Sequence, residues 1–187
     1  MKKERNFYKF ATIFLILILA ILFFWYLLSN FFSTFFALPQ LSTIGFAPSS
    51  VSVEIKEDEG IVRLTSDCKQ ISMVVDKNQA ISIGRGMERI LGPRPYTHDL
   101  IKDMLKNFGI QVLMVKITEA RNETCLPEEN CSWRITYISK LFLKQGNLIL
   151  GLDSRPSDAL AIAARVDYEV PVFVNESIFE IFGERVC

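Results

Sequence analysis

The sequence predicts an α+β domain with a mixed sheet and two similar strand–helix–strand units, preceded by one N-terminal transmembrane helix. An apolar run near the N-terminus indicates the transmembrane helix. Alternating segments typical of strands, with two amphipathic helical segments among them, indicate the domain. The 187 residues, of which 50% are hydrophobic and 22% charged, leave room for one ordinary domain and exclude global disorder.

The apolar run covers residues 11–28, where Thr12 and the Trp25–Tyr26 pair are the polar exceptions. As a helix it would extend about 27 Å, close to the roughly 30 Å hydrocarbon core of a bilayer. We therefore predict a transmembrane and juxtamembrane segment over residues 10–38, in contact with the lipid bilayer over 10–28. No cleavage site of the small-x-small type follows directly, which favours an uncleaved anchor over a signal peptide.

The charges balance overall, with 21 basic and 21 acidic residues, but they are unevenly distributed. Residues 1–9 carry a net charge of +3, so the rest of the chain carries −3. Because basic flanks stay in the cytoplasm, residues 1–9 are expected to be a cytoplasmic flank and the C-terminal domain to lie outside the cytoplasm. The −3 remainder excludes a broadly basic nucleic-acid binder, but it allows a local basic patch.

The first half of the domain is predicted to consist of hairpins. Residues 39–50 contain two prolines, one glycine and no charge, which is typical of a linker. Residues 51–56 and 61–65 alternate apolar and polar side chains and predict one hairpin. Residues 71–75 and 80–83 predict a second one.

The second half of the domain, which as a whole covers residues 51–187, mixes helices and strands. The predicted elements are a helix over 97–108, a strand over 110–117, a hairpin of 133–143 with 148–152, a helix over 156–166, a strand over 170–174 and a helix over 177–182.

Two segments within the domain resemble each other. Residues 94–100 and 155–160 both begin with Arg-Pro, start a helix and precede a strand. Each is interpreted as following a strand that ends in glycine, at Gly84 and Gly151. Proline suits the first turn of a helix, and Ser, Thr or Asp caps it, so both motifs mark helix starts. This similarity is the basis for the two predicted strand–helix–strand units.

The four cysteines suggest an oxidising environment. Cys125 and Cys131 bracket a short polar loop that a disulfide can close, and their spacing matches no usual zinc motif. Exported proteins retain such bridges, whereas a reducing cytosol does not. Cys68 and Cys187 have no assigned partner and are compatible with buried or inert thiols.

The segment 152–161, followed by 170–174 and combined with 94–100, resembles the bifunctional nuclease (BFN) domain family. The resemblance covers roughly residues 51–180, and the membrane segment would be an added anchor. It implies a nuclease that hydrolyses phosphodiester bonds in DNA and RNA with low sequence specificity.

Phosphodiester cleavage uses carboxylates that hold a metal ion, or histidine helped by arginine. His98 is the only histidine, which excludes a two-histidine mechanism within one subunit. The candidates cluster at the two motif helix starts, where free N–H groups attract phosphate. The candidate catalytic residues are His98, Asp99, Asp153 and Asp158; the candidate substrate-binding residues are Arg85, Arg94, Arg155 and Ser157; and Asp99, Asp153 and Asp158 are the candidate ligands of Mg²⁺ or Mn²⁺.

A structural interpretation of the same residues stays open. Asp99 and Asp158 suit the first turns of helices, and Arg94 and Arg155 could pair with them. The alternative function is therefore a non-catalytic binding or assembly module, and a homo-oligomer is left open. Arginines on an open concave surface would favour a nuclease, whereas buried pairs would favour a scaffold. A small-molecule hydrolase is disfavoured because no Ser–His–Asp signature is visible in the sequence.

Overall fold

The computed structural model describes residues 13–28, 40–124 and 133–187, which belong to two compact units, Met1–Leu41 and Ser42–Cys187. In the first unit, helix α1 occupies residues 13–28 and its side chains are exposed up to residue 27. Within the described residues, no helix is long and apolar enough to cross a membrane. Helix α1 has sixteen described residues, and the membrane anchor predicted over 10–38 stays a prediction.

The second unit contains the elements of the domain. In chain order, they are β1 (Phe46–Pro48), β2 (Ser50–Ile55), β3 (Glu59–Ser66), β4 (Lys69–Asp76), α2 (Lys77–Met87), α3 (Thr97–Asn107), β5 (Gln111–Thr124), β6 (Trp133–Gln145), β7 (Leu148–Ser154), α4 (Pro156–Ala163), β8 (Val172–Asn175), α5 (Glu176–Phe182) and β9 (Glu184–Arg185).

The strands form two sheets, one in the order β1-β8-β5-β6-β7 and the other in the order β2-β3-β4-β9. The five-stranded sheet is mixed, because β5 and β8 are parallel while the other neighbours are antiparallel. The predicted α+β class with a mixed sheet is confirmed. The hairpins predicted over 51–56 with 61–65 and over 133–143 with 148–152 are also confirmed, as β2–β3 and β6–β7.

The core lies between the sheets and the helices that cover them. Along β3 and β4, buried side chains alternate with less buried ones, as the pleat of a strand requires, whereas β5 is buried on both faces at residues 115–117. Helix α4 is buried almost all round, and α2 packs against it. A Cβ on Gly86 would lie 2.9 Å from that of Ala164, so the missing side chain permits this close packing. Helix α3 also packs against α4, so α4 contacts both α2 and α3.

The second predicted hairpin is wrong in its second strand, because residues 80–83 lie in α2. The Asp76 carboxylate accepts a hydrogen bond from the Asn78 amide at 2.8 Å and caps this helix. Ala80 and Ile83 are both buried, and a spacing of three residues places them on one helical face. Gly84 is consequently helical, so the first Arg-Pro motif follows a helix and the second follows β7. The two predicted strand–helix–strand units are therefore not equivalent.

The predicted linker over 39–50 is also too long. Residues 46–48 form β1, an edge strand in which Phe46 pairs with Asn175 of β8, and β2 begins at Ser50. The pairing partner lies far along the chain, so the local composition could not reveal this strand.

A disulfide joins Cys68, in the turn between β3 and β4, to Cys187 at the C-terminal end. Sequence reasoning assigned no partner to either residue. The bridge lies next to the short pairing of β4 with β9, in which Lys69 is opposite Arg185. The predicted Cys125–Cys131 bridge lies outside the described residues.

Candidate active site at the starts of two helices

The starts of α3 and α4 bring His98 and Asp158 together. His98 Nε2 lies 3.6 Å from Asp158 Oδ1, within ion-pair range but longer than a hydrogen bond. The other ring nitrogen, Nδ1, lies 2.9 Å from Ser82 Oγ on α2. The side chains of His98 and Asp158 are 19% and 34% exposed, so both are partly accessible to solvent.

Arg155 shares the Asp158 carboxylate with His98. Its Nε donates a hydrogen bond to Asp158 Oδ2 at 3.1 Å, across the first turn of α4. An exposed pair of this kind contributes little to stability. The Arg155 side chain is 74% exposed, so its guanidinium can bind an incoming phosphate while the pair persists.

A buried ion pair between Asp99 and Arg165 lies next to the His98 site and holds its helices together. Arg165 Nε donates to Asp99 Oδ1 at 2.6 Å, and both side chains are almost fully buried. The Tyr96 amide donates to the other Asp99 oxygen at 2.9 Å. Arg165 also donates to the carbonyls of Ser82 at 2.8 Å and Ala161 at 2.7 Å. These bonds fasten the start of α3 to α2 and to the end of α4.

The pKa of Asp99 reflects two opposing influences. Burial alone raises the pKa of this carboxyl, since the charged form loses hydration. The Tyr96 amide and the Arg165 guanidinium stabilise the charged form and outweigh burial, so the pKa of Asp99 lies below its ordinary value. Asp99 is therefore a charged structural anchor, held by two partners, rather than a free ligand.

Ser82 links the buried ion pair to the histidine. Arg165 Nη2 donates to Ser82 Oγ at 3.2 Å. A guanidinium can only donate, so the serine oxygen accepts this bond, and its own hydrogen is available to His98 Nδ1. The carboxylate of Asp158 beside Nε2 favours a proton on that nitrogen. We therefore expect the neutral ring to carry its proton on Nε2 and to accept at Nδ1.

The chain Ser82–His98–Asp158 is a Ser–His–Asp arrangement that the sequence did not reveal. It differs from the hydrolase triad, in which the aspartate binds Nδ1 and the nucleophilic serine binds Nε2. Here the two partners are exchanged. Ser82 contacts the imidazole at Nδ1 and orients the ring, so Nε2 is the nitrogen that faces Asp158.

The three carboxylates predicted to share a divalent metal do not converge. Asp99 is buried, with both oxygens bound. Asp153 is exposed on β7, opposite Lys140 of β6. The two oxygens of Asp158 lie next to Arg155 and His98. Among the described residues, no group of three or more His, Cys, Asp or Glu side chains is placed to hold a metal ion. The donor set does not fit a three-carboxylate Mg²⁺ or Mn²⁺ site.

The four predicted substrate-binding residues occupy different environments. Arg155 lies in the His98 site, whereas Ser157 is buried in the first turn of α4. Arg94 is exposed in the segment between α2 and α3. Arg85 is half-buried, and its guanidinium carbon lies 4.8 Å from the centroid of the Tyr96 ring. Arg85 belongs to α2 and contacts the residue that precedes α3.

Sequence reasoning missed Ser82 and Arg165. A signal for Arg165 was available: it is a single arginine directly after an Ala-rich apolar helix, and a charge that is buried requires a partner. No such signal marks Ser82, because its role depends on how α2 packs against α4.

The fold and the site define an α+β domain in which a histidine, a carboxylate and an exposed arginine meet at two helix starts, a combination suited to phosphate esters. The family model of the bifunctional nuclease domain matches residues 61–186. The chain belongs to this family, as the Arg-Pro motifs indicated.

Curated relatives agree with the family assignment. Bifunctional nuclease 1 of Oryza sativa subsp. japonica is 32% identical over 119 residues, which are 62% of this chain and 32% of the rice protein. Bifunctional nuclease 2 of Arabidopsis thaliana is 28% identical over 141 residues, 75% of this chain and 37% of the plant protein. An uncharacterized protein of Mycobacterium tuberculosis (strain ATCC 25618 / H37Rv) is 26% identical over 123 residues, 66% of this chain and 65% of its own length. The chain therefore spans about a third of the plant relatives and just under two thirds of the mycobacterial one.

Proposed function

We propose that the domain is a nuclease that hydrolyses phosphodiester bonds in DNA, RNA or both with low sequence specificity. The observation that carries the proposal is the placement of His98 Nε2 3.6 Å from Asp158, with the exposed Arg155 on the same carboxylate. Membership of the bifunctional nuclease domain family and the names of the plant relatives support it.

His98 is the group that moves protons in this proposal. Ser82 occupies Nδ1, so Nε2 is the nitrogen that meets the substrate. In hydrolysis, the oxygen of a water molecule bonds to phosphorus and its proton passes to solvent, while the bond to the leaving strand oxygen breaks. The imidazolium form of His98 donates its Nε2 proton to that leaving oxygen and takes up a proton from solvent afterwards. Asp158 orients the ring, and Arg155 with the N–H groups of the helix starts binds the phosphate oxygens.

Assistance by Mg²⁺ or Mn²⁺ stays a prediction that cleavage assays can test. The described carboxylates do not form a shared site, so the roles given above to the side chains do not depend on a metal. Cleavage rates measured with each metal and with EDTA give the contribution of the metal ion to cleavage.

A non-catalytic binding or assembly module is the second candidate function. It is favoured by the fact that Asp99 and Asp158 are both in ion pairs with arginines, as in a scaffold. The partners are Arg165 and Arg155, whereas the sequence suggested Arg94 and Arg155. Homo-oligomer formation stays a prediction.

The test is cleavage of single-stranded DNA, duplex DNA and RNA by the full-length protein purified in detergent, with Mg²⁺, Mn²⁺ or EDTA. His98→Gln is expected to lower the rate by at least about 100-fold, the usual contribution of a general acid–base. Asp158→Asn and Arg155→Gln are expected to slow cleavage as well. Asp103→Asn and Arg121→Gln make the same charge changes at exposed positions outside the site and should cut at the rate of the unmodified protein.

Circular dichroism separates a loss of chemistry from a loss of fold. A folded His98→Gln protein that cleaves at the unmodified rate would remove His98 from the mechanism and reject this site. No cleavage by the unmodified protein under any of the three conditions would favour the binding or assembly module.

We also propose that the chain is anchored in a membrane with the domain outside the cytoplasm. The apolar run over 11–28 and the basic flank over 1–9 support this topology. The Cys68–Cys187 disulfide supports it too, since such bonds persist mainly outside the reducing cytoplasm. After alkaline extraction, the full chain should remain with the membranes, whereas a chain lacking residues 1–41 should be released. Release of both proteins would reject the anchor.

A further inference from the structure

A small cavity lies next to the His98 site, between the end of α2, helix α3 and the segment after α4. Its volume is about 110 Å³, well below the roughly 300 Å³ at which pockets begin to hold drug-sized ligands. A phosphate group fits this space, whereas a base with its sugar does not. The charged side chains that line it are Arg85, Arg89, Asp99, Lys102, Arg165 and Asp167.

The acidic groups of the lining already have basic partners. Asp99 is bound by Arg165 at 2.6 Å. Asp167 is bound by Lys106, which lies outside the lining, at 3.0 Å. Lys102 has its own acid, Asp103, at 2.7 Å. Positive charge in excess of these pairs therefore comes from Arg85 and Arg89, which we call the arginine pair.

The arginine pair lies at the end of α2: Arg85 is in the last turn of the helix, and Arg89 follows Glu88, the residue that caps it. Arg85 stacks on the Tyr96 ring, with its guanidinium carbon 4.8 Å from the ring centroid. A cation–π contact of this kind restrains the guanidinium, which can still donate hydrogen bonds to the oxygens of an anion.

Arg89 has an unusual backbone. Its φ is +56°, in the left-handed region, directly after the residue that caps the end of α2. Glycine is the usual residue at this position, since any side chain is disfavoured in this conformation. Conformational strain of this kind is often kept where a side chain has a function. At this position, the arginine side chain lines the cavity.

The cavity is also connected to the His98 site. Arg165 lines it and donates to Ser82 Oγ at 3.2 Å, and that oxygen lies 2.9 Å from His98 Nδ1. A group bound in the cavity is therefore separated from the histidine by one arginine and one serine.

We propose that the cavity binds a phosphomonoester dianion, and that its ligand is the terminal phosphate of a nucleic-acid strand, an assignment that rests on the proposed nuclease function. A terminal phosphate carries more charge and more free oxygens than the diesters within a strand, so it matches the arginine pair best. The cavity would hold the end of a strand while a neighbouring phosphodiester lies at His98.

The test measures binding by calorimetry, using full-length His98→Gln protein so that no substrate is consumed. Inorganic phosphate and adenosine monophosphate should bind with one-to-one saturation, whereas adenosine should not bind. Arg89→Gly should weaken both affinities by at least about tenfold, as expected for the loss of a charge-assisted hydrogen bond. This variant suits the left-handed backbone, so it is expected to fold at least as well as the parent. Arg121→Gln, at an exposed position of β5, is the control and should bind like the parent.

Oligonucleotides then distinguish a strand end from free phosphate. A strand with a terminal phosphate should bind more tightly than the same strand with a terminal hydroxyl, and Arg89→Gly should abolish the difference. Equal binding of phosphate by the parent and Arg89→Gly, or equal binding of adenosine and its monophosphate, would overturn the site. Equal binding of the two strands would overturn the strand-end assignment alone. If the unmodified protein cuts no nucleic acid but phosphate binding depends on Arg89, the nuclease proposal fails and the cavity stands.

Discussion

Ser82 Oγ lies 2.9 Å from His98 Nδ1, and the same oxygen accepts a hydrogen bond from the buried Arg165. The arginine can only donate, so the serine hydrogen is available to the histidine. This arrangement favours a neutral ring that accepts at Nδ1 and carries its proton on Nε2. Asp158 on the opposite side favours the same result.

The first prediction concerns this tautomer. In the neutral ring of His98, the proton should be on Nε2, and Ser82→Ala should shift the ring towards a mixture of both tautomers because Nδ1 loses its donor. His98 is the only histidine, so a ¹H–¹⁵N spectrum of the imidazole reports on it without ambiguity. Ser72→Ala, at an exposed position on β4, is the control and should leave the spectrum unchanged.

Activity gives an independent readout for Ser82. The rate of Ser82→Ala should fall and its pH profile should move, because the imidazole is no longer held, and Ser82→Thr should restore both since it keeps the hydroxyl. A proton on Nδ1 in the unmodified protein, or a Thr variant that behaves like Ala, would contradict the positioning role.

The second prediction concerns the buried ion pair. Arg165→Met leaves the Asp99 carboxylate buried without its main partner, so the free energy of unfolding should fall by about 3 kcal/mol. Asp99→Asn should cost a similar amount, and the double variant should lose clearly less than the sum, because each change removes the same interaction. Urea denaturation measures all three. Asp167→Asn, which breaks the exposed pair with Lys106, is the control and should cost far less.

The third prediction is the dependence of stability on pH that Asp99 produces. In the folded protein its pKa lies below the ordinary value, so the unfolded chain takes up the proton first as the pH falls. The stability contributed by ionised Asp99 should be fully present above about pH 4 and lost as the pH drops towards the folded pKa. Unfolding free energies measured between about pH 5 and pH 3 should therefore fall more steeply for the unmodified protein than for Asp99→Asn. Parallel curves would show that Asp99 has the same pKa in both states.

The elements that the sequence predicted correctly are those with a local pattern. In β2, β3 and β7, one face is more buried than the other, and alternation alone indicates a strand. Helix α2 was missed because Ala80 and Ile83 belong to a short apolar run, which fits a strand as well as a helix. Strand β1 exists because it pairs with β8, a contact between distant parts of the chain.

The same distinction applies to the site. His98 and Asp158 were identified because each starts a helix after an Arg-Pro motif, a pattern visible within a few residues. Asp99 also lies in the first turn of a helix after an Arg-Pro motif, but its carboxylate is bound by Arg165, which is distant in the sequence. Ser82 has a role only because α2, α3 and α4 meet. Local patterns thus indicated which helix starts matter, and tertiary packing decided which side chains are free.

The last prediction concerns the Cys68–Cys187 disulfide, which joins residues 119 positions apart. A bridge across so long a loop restricts the unfolded chain strongly, so Cys68→Ser should lower the free energy of unfolding by about 3–5 kcal/mol. Cys187→Ser and the double variant should lose the same amount, because each removes the same bond. Urea denaturation measures the losses, and peptide mass spectrometry of the unreduced protein checks the pairing. A disulfide-linked peptide that joins Cys68 to a cysteine other than Cys187, or single variants as stable as the parent, would contradict the bridge.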